Sequence, residues 1–258
     1  MIVLKSKFAV QLFTLRAELD RDFKGTLQRV KKIGYDAVQL GNFHGYHAEE
    51  ISVMLKDLDL KTAGLHASID RLRTDLDQVV KEAEILQTRD IICPYLPEEL
   101  RNAKSYIRIK NALNNIANTL MDKGFRISYH NHAFEFQTEI NDMNALDYIL
   151  DPSEENHILA EIDVYWIKIG GHDPLTYIER FSNRMPIIHL KDVGKDENHS
   201  FAEVGTGILD FPSILQWGEV NGIEWYVVEQ DVCPRNPLDC LELSLRNLHE
   251  MADRMQSH

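Results

Sequence analysis

Short apolar runs alternate along the chain with longer segments in which apolar residues recur every three or four positions. The short runs have the length of buried β-strands, and their spacing of roughly 25–35 residues is the size of a βαβ unit. Eight such strands are predicted, at residues 8–15, 36–40, 62–67, 90–95, 126–132, 158–166, 186–192 and 225–231.

The segments between these runs are typical of amphipathic helices. In residues 22–33 the apolar positions share one stripe, and Gly34 follows as a stop signal. Asp173 and Asp210 are predicted N-caps, since a proline follows each within two residues. The same stripe recurs at residues 76–86, 99–121 and 238–251.

Strands that alternate with helices predict an α/β fold in which a parallel sheet closes into a (β/α)8 TIM barrel. An open, doubly wound sheet is disfavoured, because no Gly-x-Gly-x-x-Gly motif follows the first strand. The chain has 258 residues, which fits one barrel domain over residues 1–258.

Charge and composition narrow the class of protein. The formal net charge is −13, which argues against a nucleic-acid surface. We expect no membrane partner, because no apolar run reaches the roughly 20 residues of a membrane helix. The first residues lack the pattern of a secretory signal, and three scattered cysteines suggest reduced thiols, so a cytoplasmic setting is expected.

Polar residues stand at the ends of the predicted strands, where TIM-barrel active sites lie. Buried carboxylates at such positions need a cation or another partner. Nitrogen and oxygen donors without thiolates suit one divalent ion of Mn, Zn, Co, Fe or Mg. Taken singly, a strand-end histidine is more often a hydrogen-bonded structural residue. The residues concerned are His66, His130, His132, Glu135, Glu161, Asp163, His189, Lys191, Glu229 and Asp231.

Seven segments carry a family resemblance that covers nearly the whole chain. They are QLFTLR (11–16), IGYDAVQL (33–40), YHNHAFEF (129–136), EIDVYW (161–166), HLKD (189–192), EVGTGILD (203–210) and EWYVVEQD (224–231). Together they resemble the xylose-isomerase-like TIM barrel superfamily, the group of sugar phosphate isomerases/epimerases. The resemblance implies a small carbohydrate substrate and a homodimer or homotetramer.

The resemblance also implies one metal held by Glu, Asp, His and Glu from strands five to eight. Asp163, His189 and Glu229 match the last three ligands. His130 stands where many relatives have glutamate, within the His-Asn-His version of one subgroup. Either His130 is the fourth ligand, which we favour, or Glu135 reaches back from the loop.

Catalytic roles follow from the same comparison. The resemblance implies that Glu229 is both a metal ligand and a base. Glu135 is a candidate second acid/base, or else a solvated loop carboxylate. Lys191 is predicted to polarise a carbonyl group or to pair with Glu161, in catalysis or as a structural salt bridge.

Substrate contacts are predicted on the rim. His66 and His132 are candidates for binding hydroxyl groups. Trp166, with Tyr165 and Phe134, offers an apolar wall for a sugar ring, although each can equally be barrel packing.

A metal-bound carbonyl favours removal of the neighbouring proton. Returning that proton gives isomerisation or epimerisation, whereas losing a β-leaving group is a dehydratase or lyase reaction. The leading hypothesis is an isomerase/epimerase of a small sugar or keto-sugar that acts through an enediolate. The alternative is a lyase or dehydratase acting on a keto-sugar, keto-glycoside or inosose, which the His-Asn-His departure favours. A DNA-repair endonuclease and a barrel that only binds its ligand are weaker hypotheses.

Overall fold

Eight parallel strands pair edge to edge and close into a barrel, which confirms the predicted (β/α)8 fold. The structure, a computed structural model, describes residues 4–256. Residues 1–3 and 257–258 of the predicted domain lie outside this range. The barrel strands are β1 (Phe8–Gln11), β2 (Ala37–Leu40), β3 (Lys61–His66), β4 (Asp90–Cys93), β5 (Arg126–His130), β8 (Leu159–Asp163), β9 (Ile187–Leu190) and β12 (Trp225–Val228).

Two antiparallel pairs of two-residue strands lie outside the barrel. One pair joins β6 (Glu139–Ile140) to β7 (Met143–Asn144), and the other joins β10 (Asp192–Val193) to β11 (Phe201–Ala202). Both pairs sit in loops that follow the carboxyl ends of barrel strands, the end at which TIM barrels build their sites.

Helices occupy the segments between the strands. The predicted caps are confirmed: Asp173 accepts the Thr176 N–H and Asp210 accepts the Ser213 N–H. The helices are α1 (Arg16–Arg21), α2 (Phe23–Ile33), α3 (Ala48–Asp57), α4 (Ile69–Thr74), α5 (Leu76–Ile85), α6 (Ala103–Met121), α7 (Ala145–Ile149), α8 (Val164–Ile169), α9 (Pro174–Ile178), α10 (Phe211–Val220) and α11 (Pro237–Gln256). No helix among residues 4–256 has both the length and the apolar character needed to span a bilayer.

Several predicted boundaries are wrong, since most strands end before the predicted residue, and three differences have a clear local form. Residues 12–15 form a 3-10 helix rather than the end of β1. Residues 164–166 begin α8, because Asp163 Oδ1 accepts the N–H groups of Tyr165 and Trp166 and so caps a helix there. The helix predicted from residue 99 begins at Ala103, where the Asn102 side chain caps it.

A layer of small and branched side chains fills part of the barrel and supports the polar residues. Side chains alternate between the two faces of a strand. A residue two positions after a member of this apolar layer therefore lies on the same face, and four such residues are polar. Those next residues are Gln11, Gln39, His189 and Glu229. The apolar layer consists of Ala9, Ala37, Ala63, Ile92, Ile187 and Val227.

The loop after β9 is fixed by one buried carboxylate. Asp192 accepts the backbone N–H groups of Val193 and Leu209 on Oδ1 and those of Gly205 and Gly207 on Oδ2, at 2.8–3.2 Å. A Cβ at Gly207 would lie 2.1 Å from the Val193 carbonyl oxygen, so only glycine fits there. The base of the loop is thereby tied to the residue that follows Lys191.

Candidate metal centre

Imidazole and carboxylate groups from neighbouring strands meet at the carboxyl ends of the barrel. The structure brings together the four predicted ligands: His130 and Asp163 end β5 and β8, His189 lies within β9, and Glu229 follows β12. One donor atom from each lies within 4.8 Å of the others. We call these four residues the upper group.

A second group overlaps the first. His66, Glu161, His130 and His189 also have donor atoms within 4.8 Å of one another. We call them the lower group, and the sequence did not predict it, since it assigned Glu161 to catalysis and His66 to substrate binding. His130 and His189 therefore belong to both groups.

Glu161 lies at the centre of the lower group and is fully buried. Its Oε1 lies 2.8 Å from His66 Nε2, 3.1 Å from His130 Nδ1 and 3.1 Å from His189 Nε2. Burial alone would raise the pKa of Glu161, but the charges of His189 and His66 outweigh it and lower the pKa well below its usual range. Glu161 is therefore an ionised acceptor.

Gln11 and Gln39 complete this hydrogen-bond network, and the sequence analysis missed both. Gln39 Nε2 donates to Glu161 Oε2 at 2.6 Å, and Gln11 Nε2 donates to Gln39 Oε1 at 2.8 Å. Gly64 leaves room for Gln39, because a Cβ there would lie 3.1 Å from Gln39 Nε2. The available signal was a single glutamine near the end of each of two otherwise apolar strands.

Lys191 pairs with three carboxylates, two from the upper group and one from Asp231. Its Nζ lies 2.9 Å from Asp163 Oδ2, 2.8 Å from Glu229 Oε2 and 3.0 Å from Asp231 Oδ2. The predicted alternative of a Lys191–Glu161 pair is wrong, because Lys191 lies past the end of β9 and reaches the layer above Glu161. Burial would lower the pKa of Lys191, but these three carboxylates raise it.

The two shared histidines have opposite ionisation behaviour. Burial lowers the pKa of His130 to about 3, so its imidazole is neutral. Burial would also lower the pKa of His189, but Glu161 and Glu229 outweigh it and raise the pKa to about 10. His189 is therefore protonated on both ring nitrogens, and a metal ion bound to one of them would replace the proton of that nitrogen.

Two carboxylates of the upper group also differ. Burial raises the pKa of Asp163 to about 6. Burial would raise the pKa of Glu229 as well, but Lys191 and His189 lower it well below its usual range. Glu229 is consequently ionised at neutral pH and able to accept a proton.

Glu135 lies away from both groups. It is fully buried in a 3-10 turn, where Oε1 accepts from the Tyr129 hydroxyl and Oε2 from the His132 N–H, each at 2.8 Å. Burial raises its pKa to about 7. The two alternatives of a solvated loop carboxylate and of a ligand reaching back to the metal are therefore wrong, and a catalytic role for Glu135 stays a prediction.

A cavity of about 660 Å³ opens onto the upper group. Among the carboxylates of the two groups, Glu229 lines it, whereas Glu161 and Asp163 lie behind its wall. Outside the two groups, its wall includes Gln11, Phe13, Arg16, Asp20, Asn42, His44, Tyr95, His132, Lys191 and Asp231.

His132 lines this cavity and packs against two further aromatic rings. His132 stacks on Phe134 with ring centroids 5.1 Å apart, and Trp166 lies 5.4 Å from His132. His132 Nδ1 and Trp166 Nε1 are buried and have no hydrogen-bond partner within residues 4–256. Buried polar atoms are normally satisfied, so these two nitrogens are available to a ligand.

The upper group fits a divalent metal by its donor chemistry. It offers two imidazole nitrogens and two carboxylates, the donor types that Zn²⁺, Mn²⁺, Co²⁺ and Fe²⁺ accept. Asp163 Oδ2 receives no hydrogen bond of good geometry, although it lies 2.9 Å from Lys191 Nζ and 3.8 Å from His130 Nε2. A buried carboxylate oxygen left in this state fits a bound cation.

The comparison with known families agrees with this geometry. Residues 27–232 match the family described as xylose isomerase-like TIM barrel. The chain belongs to this family.

Three similar proteins illustrate the relationship. An inosose dehydratase of Clostridium perfringens is 25% identical over 157 residues, which are 54% of this chain and 52% of that protein. The chain thus spans about half the length of the curated relatives it matches. A solved sugar phosphate isomerase/epimerase of Parabacteroides distasonis has a TM-score of 0.78 at 20% identity, over 93% of each chain. A solved IolI protein with a binding zinc atom has a TM-score of 0.67 at 13% identity, over 95% of this chain and 96% of that one.

Proposed function

We propose that the chain is a divalent-metal-dependent lyase that acts on a keto-sugar or inosose. It removes the proton next to the carbonyl group and then eliminates a leaving group, such as hydroxide, from the neighbouring carbon. The observation that carries the proposal is the position of Glu229, the one carboxylate of the two groups that also lines the cavity. Several relatives that bear the name inosose dehydratase support the same chemistry.

The ion would be held by His130, Asp163, His189 and Glu229. When bound, a divalent ion polarises a carbonyl oxygen and stabilises the negative charge left by proton removal. The zinc atom in the similar IolI protein supports this dependence on a metal.

Glu229 is the proposed acid/base. Its contacts with His189 and Lys191 both use Oε2, which leaves Oε1 to take the proton. The C–H electron pair stays next to the carbonyl group until the C–O bond breaks, and it then forms the new double bond. Glu229 then returns its proton to the departing hydroxide, so that water leaves and the carboxylate is restored.

Substrate orientation is assigned to two unsatisfied nitrogens, one on His132 in the cavity wall and one on Trp166, which packs beside His132. His132 Nδ1 and Trp166 Nε1 are placed to bind hydroxyl groups of a small carbohydrate. His66 lines the same cavity, but its two ring nitrogens already contact Glu161 and Gln11, so its predicted hydroxyl contact is less well supported. The predicted homodimer or homotetramer and the single domain over residues 1–258 stay predictions.

An isomerase is the second candidate, because one carboxylate can also return the proton to the adjacent carbon. Epimerisation through two glutamates is less well supported, since Glu135 is not among the residues that line the cavity. The two candidates differ in the mass of the product. Elimination releases water or an aglycone, whereas isomerisation conserves mass.

The experiment combines metal content with product analysis. Protein purified without added metal is analysed for bound ions, with Asp163→Ala and His189→Ala as loss variants and exposed Glu139→Gln as the control. Each protein, together with Glu229→Gln, is then incubated with inososes, keto-sugars and keto-glycosides. The masses of the products are measured by mass spectrometry. Metal-dependent loss of water or an aglycone supports the lyase, and a product of unchanged mass supports the isomerase. No bound ion, together with no stabilisation by added Mn²⁺, Co²⁺, Zn²⁺ or Mg²⁺, overturns both.

A further inference from the structure

We propose that Gln39 and Glu161 are positioning residues that fix which nitrogen of His130 and of His189 is free to bind an ion, and so direct the ion to the upper group. The inference rests on the metal dependence proposed above. It also gives Glu161 a role other than the catalytic one predicted from the sequence.

The two overlapping groups use opposite nitrogens of the shared histidines. His189 presents Nδ1 to Glu229 at 3.0 Å and Nε2 to Glu161 at 3.1 Å. His130 presents Nδ1 to Glu161 at 3.1 Å and Nε2 to Asp163 at 3.8 Å. A neutral imidazole has one N–H and one lone pair, so each histidine can serve as a ligand in one group only.

The orientation of the Gln39 amide decides the choice for His189. Glu161 Oε2 is an acceptor, so the Gln39 atom 2.6 Å from it must be the donor nitrogen. Gln39 Oε1 then faces His189 Nε2 at 2.7 Å. With Gln39 Oε1 and Glu161 Oε1 both beside it, His189 Nε2 keeps its proton. Nδ1, which faces Glu229 Oε2, is then the nitrogen that would exchange its proton for an ion in the upper group.

The same reasoning applies to the other two imidazoles. His130 Nδ1 faces the Glu161 carboxylate and therefore carries a proton, which leaves Nε2 free on the side of Asp163. Gln11 Nε2 lies 3.3 Å from His66 Nδ1, which accepts, so His66 Nε2 is the donor to Glu161.

Glu161 is saturated as a result. Oε1 receives the N–H groups of His66 and His130 and lies 3.1 Å from His189 Nε2, and Oε2 receives the Gln39 amide. A lower site would need the N–H protons of all three histidines to leave, whereas a site in the upper group would need only the Nδ1 proton of His189 to leave. Carboxylates that accept the second N–H of ligand histidines typically contribute about 10- to 100-fold to metal affinity.

The first test measures zinc affinity of the full chain by chelator competition. Glu161→Gln and Gln39→Leu are compared with wild type, and Glu135→Gln is the matched control, because Glu135 is equally buried and contacts neither shared histidine. Melting curves of the metal-free proteins check that each variant folds. We expect affinity to fall by about 10- to 100-fold in the first two variants and to stay at the wild-type value in the control.

Two results of this test would overturn the inference. One is wild-type zinc affinity in Glu161→Gln. The other is complete loss of zinc in Glu161→Gln while Asp163→Asn keeps wild-type affinity, since Glu161 would then be a ligand itself. Failure of the wild-type chain to bind any of the tested ions overturns the proposed function as well, so the two failures are distinguishable.

The second test needs no variant. In zinc-loaded protein labelled with ¹⁵N-histidine, two-bond ¹H–¹⁵N correlation spectra identify the nitrogen that binds the metal. We expect zinc on His189 Nδ1 and His130 Nε2, with protons on His189 Nε2 and His130 Nδ1. Zinc on the opposite nitrogens would contradict the inference even if every variant failed to fold.

Discussion

Lys191 Nζ lies 2.8 Å from Glu229 Oε2, and both side chains are buried at the carboxyl end of the barrel. The ammonium group is fixed beside the proposed base, and its charge, together with that of His189, lowers the pKa of Glu229 against the effect of burial. Lys191 also neutralises part of the charge of Asp163 and Asp231. An ion bound by the upper group would therefore share with Lys191 the balancing of the same negative charges.

Replacing Lys191 by methionine tests this shared role. The change leaves buried carboxylates without their cation, so we expect metal-free protein to lose about 3–5 kcal/mol of stability. Added Zn²⁺ or Mn²⁺ should recover more stability in Lys191→Met than in wild type. Melting temperatures with and without the ion measure both effects, and Lys168→Met, at an exposed position of α8, is the control. Equal responses to the ion in wild type and variant would contradict the prediction.

Glu135 predicts a pH dependence of stability. Its pKa is raised from 4.5 to about 7, so the folded state binds its proton more tightly than the unfolded state does. The stabilisation is complete below pH 4.5 and is lost as the pH rises to about 7. Over that range, wild type should lose about 3 kcal/mol relative to Glu135→Gln.

Unfolding free energies of the two proteins, measured by denaturant titration at several pH values, test this prediction. Exposed Glu139→Gln serves as the control and should show no such difference from wild type. A difference between wild type and Glu135→Gln that is independent of pH would show that Glu135 has an ordinary pKa.

Trp166→Phe removes an N–H that has no partner in the described part of the chain. Because no internal hydrogen bond is lost, stability and metal content should not fall. If the N–H binds a substrate hydroxyl, kcat/KM should decrease by roughly 2- to 10-fold. Steady-state kinetics measure the effect, and Trp217→Phe on α10 is the matched control. Unchanged kinetics in Trp166→Phe would make this tryptophan a packing residue.

Substitutions at the opposite end of the barrel should change the free energy of unfolding without changing activity. Arg126 binds the buried Asp90 through Nε and Nη2 at 2.7 and 2.8 Å, whereas the more exposed Arg89 pairs with Glu224 alone. Arg126→Met should therefore cost about 3–5 kcal/mol and Arg89→Met at most about 1 kcal/mol. Kinetic constants of both should equal those of wild type. A change in kcat for either variant would show coupling across the barrel.

The barrel and the upper group were predictable because their signals are local. Strand spacing and apolar runs carry the fold, and strand ends carry His130, Asp163, His189 and Glu229. The capping of α8 by Asp163 was less accessible, since apolar and aromatic residues continue after Asp163 to Trp166 with no glycine or proline between them. It took the carboxylate's hydrogen bonds to Tyr165 and Trp166 to show where the strand ends.

Partner choice was not predictable from spacing. Lys191 and Glu161 stand at neighbouring strand ends, yet they occupy different layers of the barrel. Gln39 and Gln11 carry no charge, and the two segments of the family resemblance that contain them assign them no role. Their importance emerges only when the strands are brought together. Glu135 follows the His-Asn-His segment closely, and only the 3-10 turn shows that its carboxylate points to Tyr129.

The attachment of the β9 loop to Asp192 separates the loop's base from its tip. Four backbone N–H groups hold the base, and residues 195–200 at the tip are all exposed. The number and type of residues at positions 195–198 can therefore change, or another segment can be inserted there, without moving the neighbouring Lys191. The fold thus offers a place where new specificity can be acquired while the proton chemistry below it is inherited unchanged.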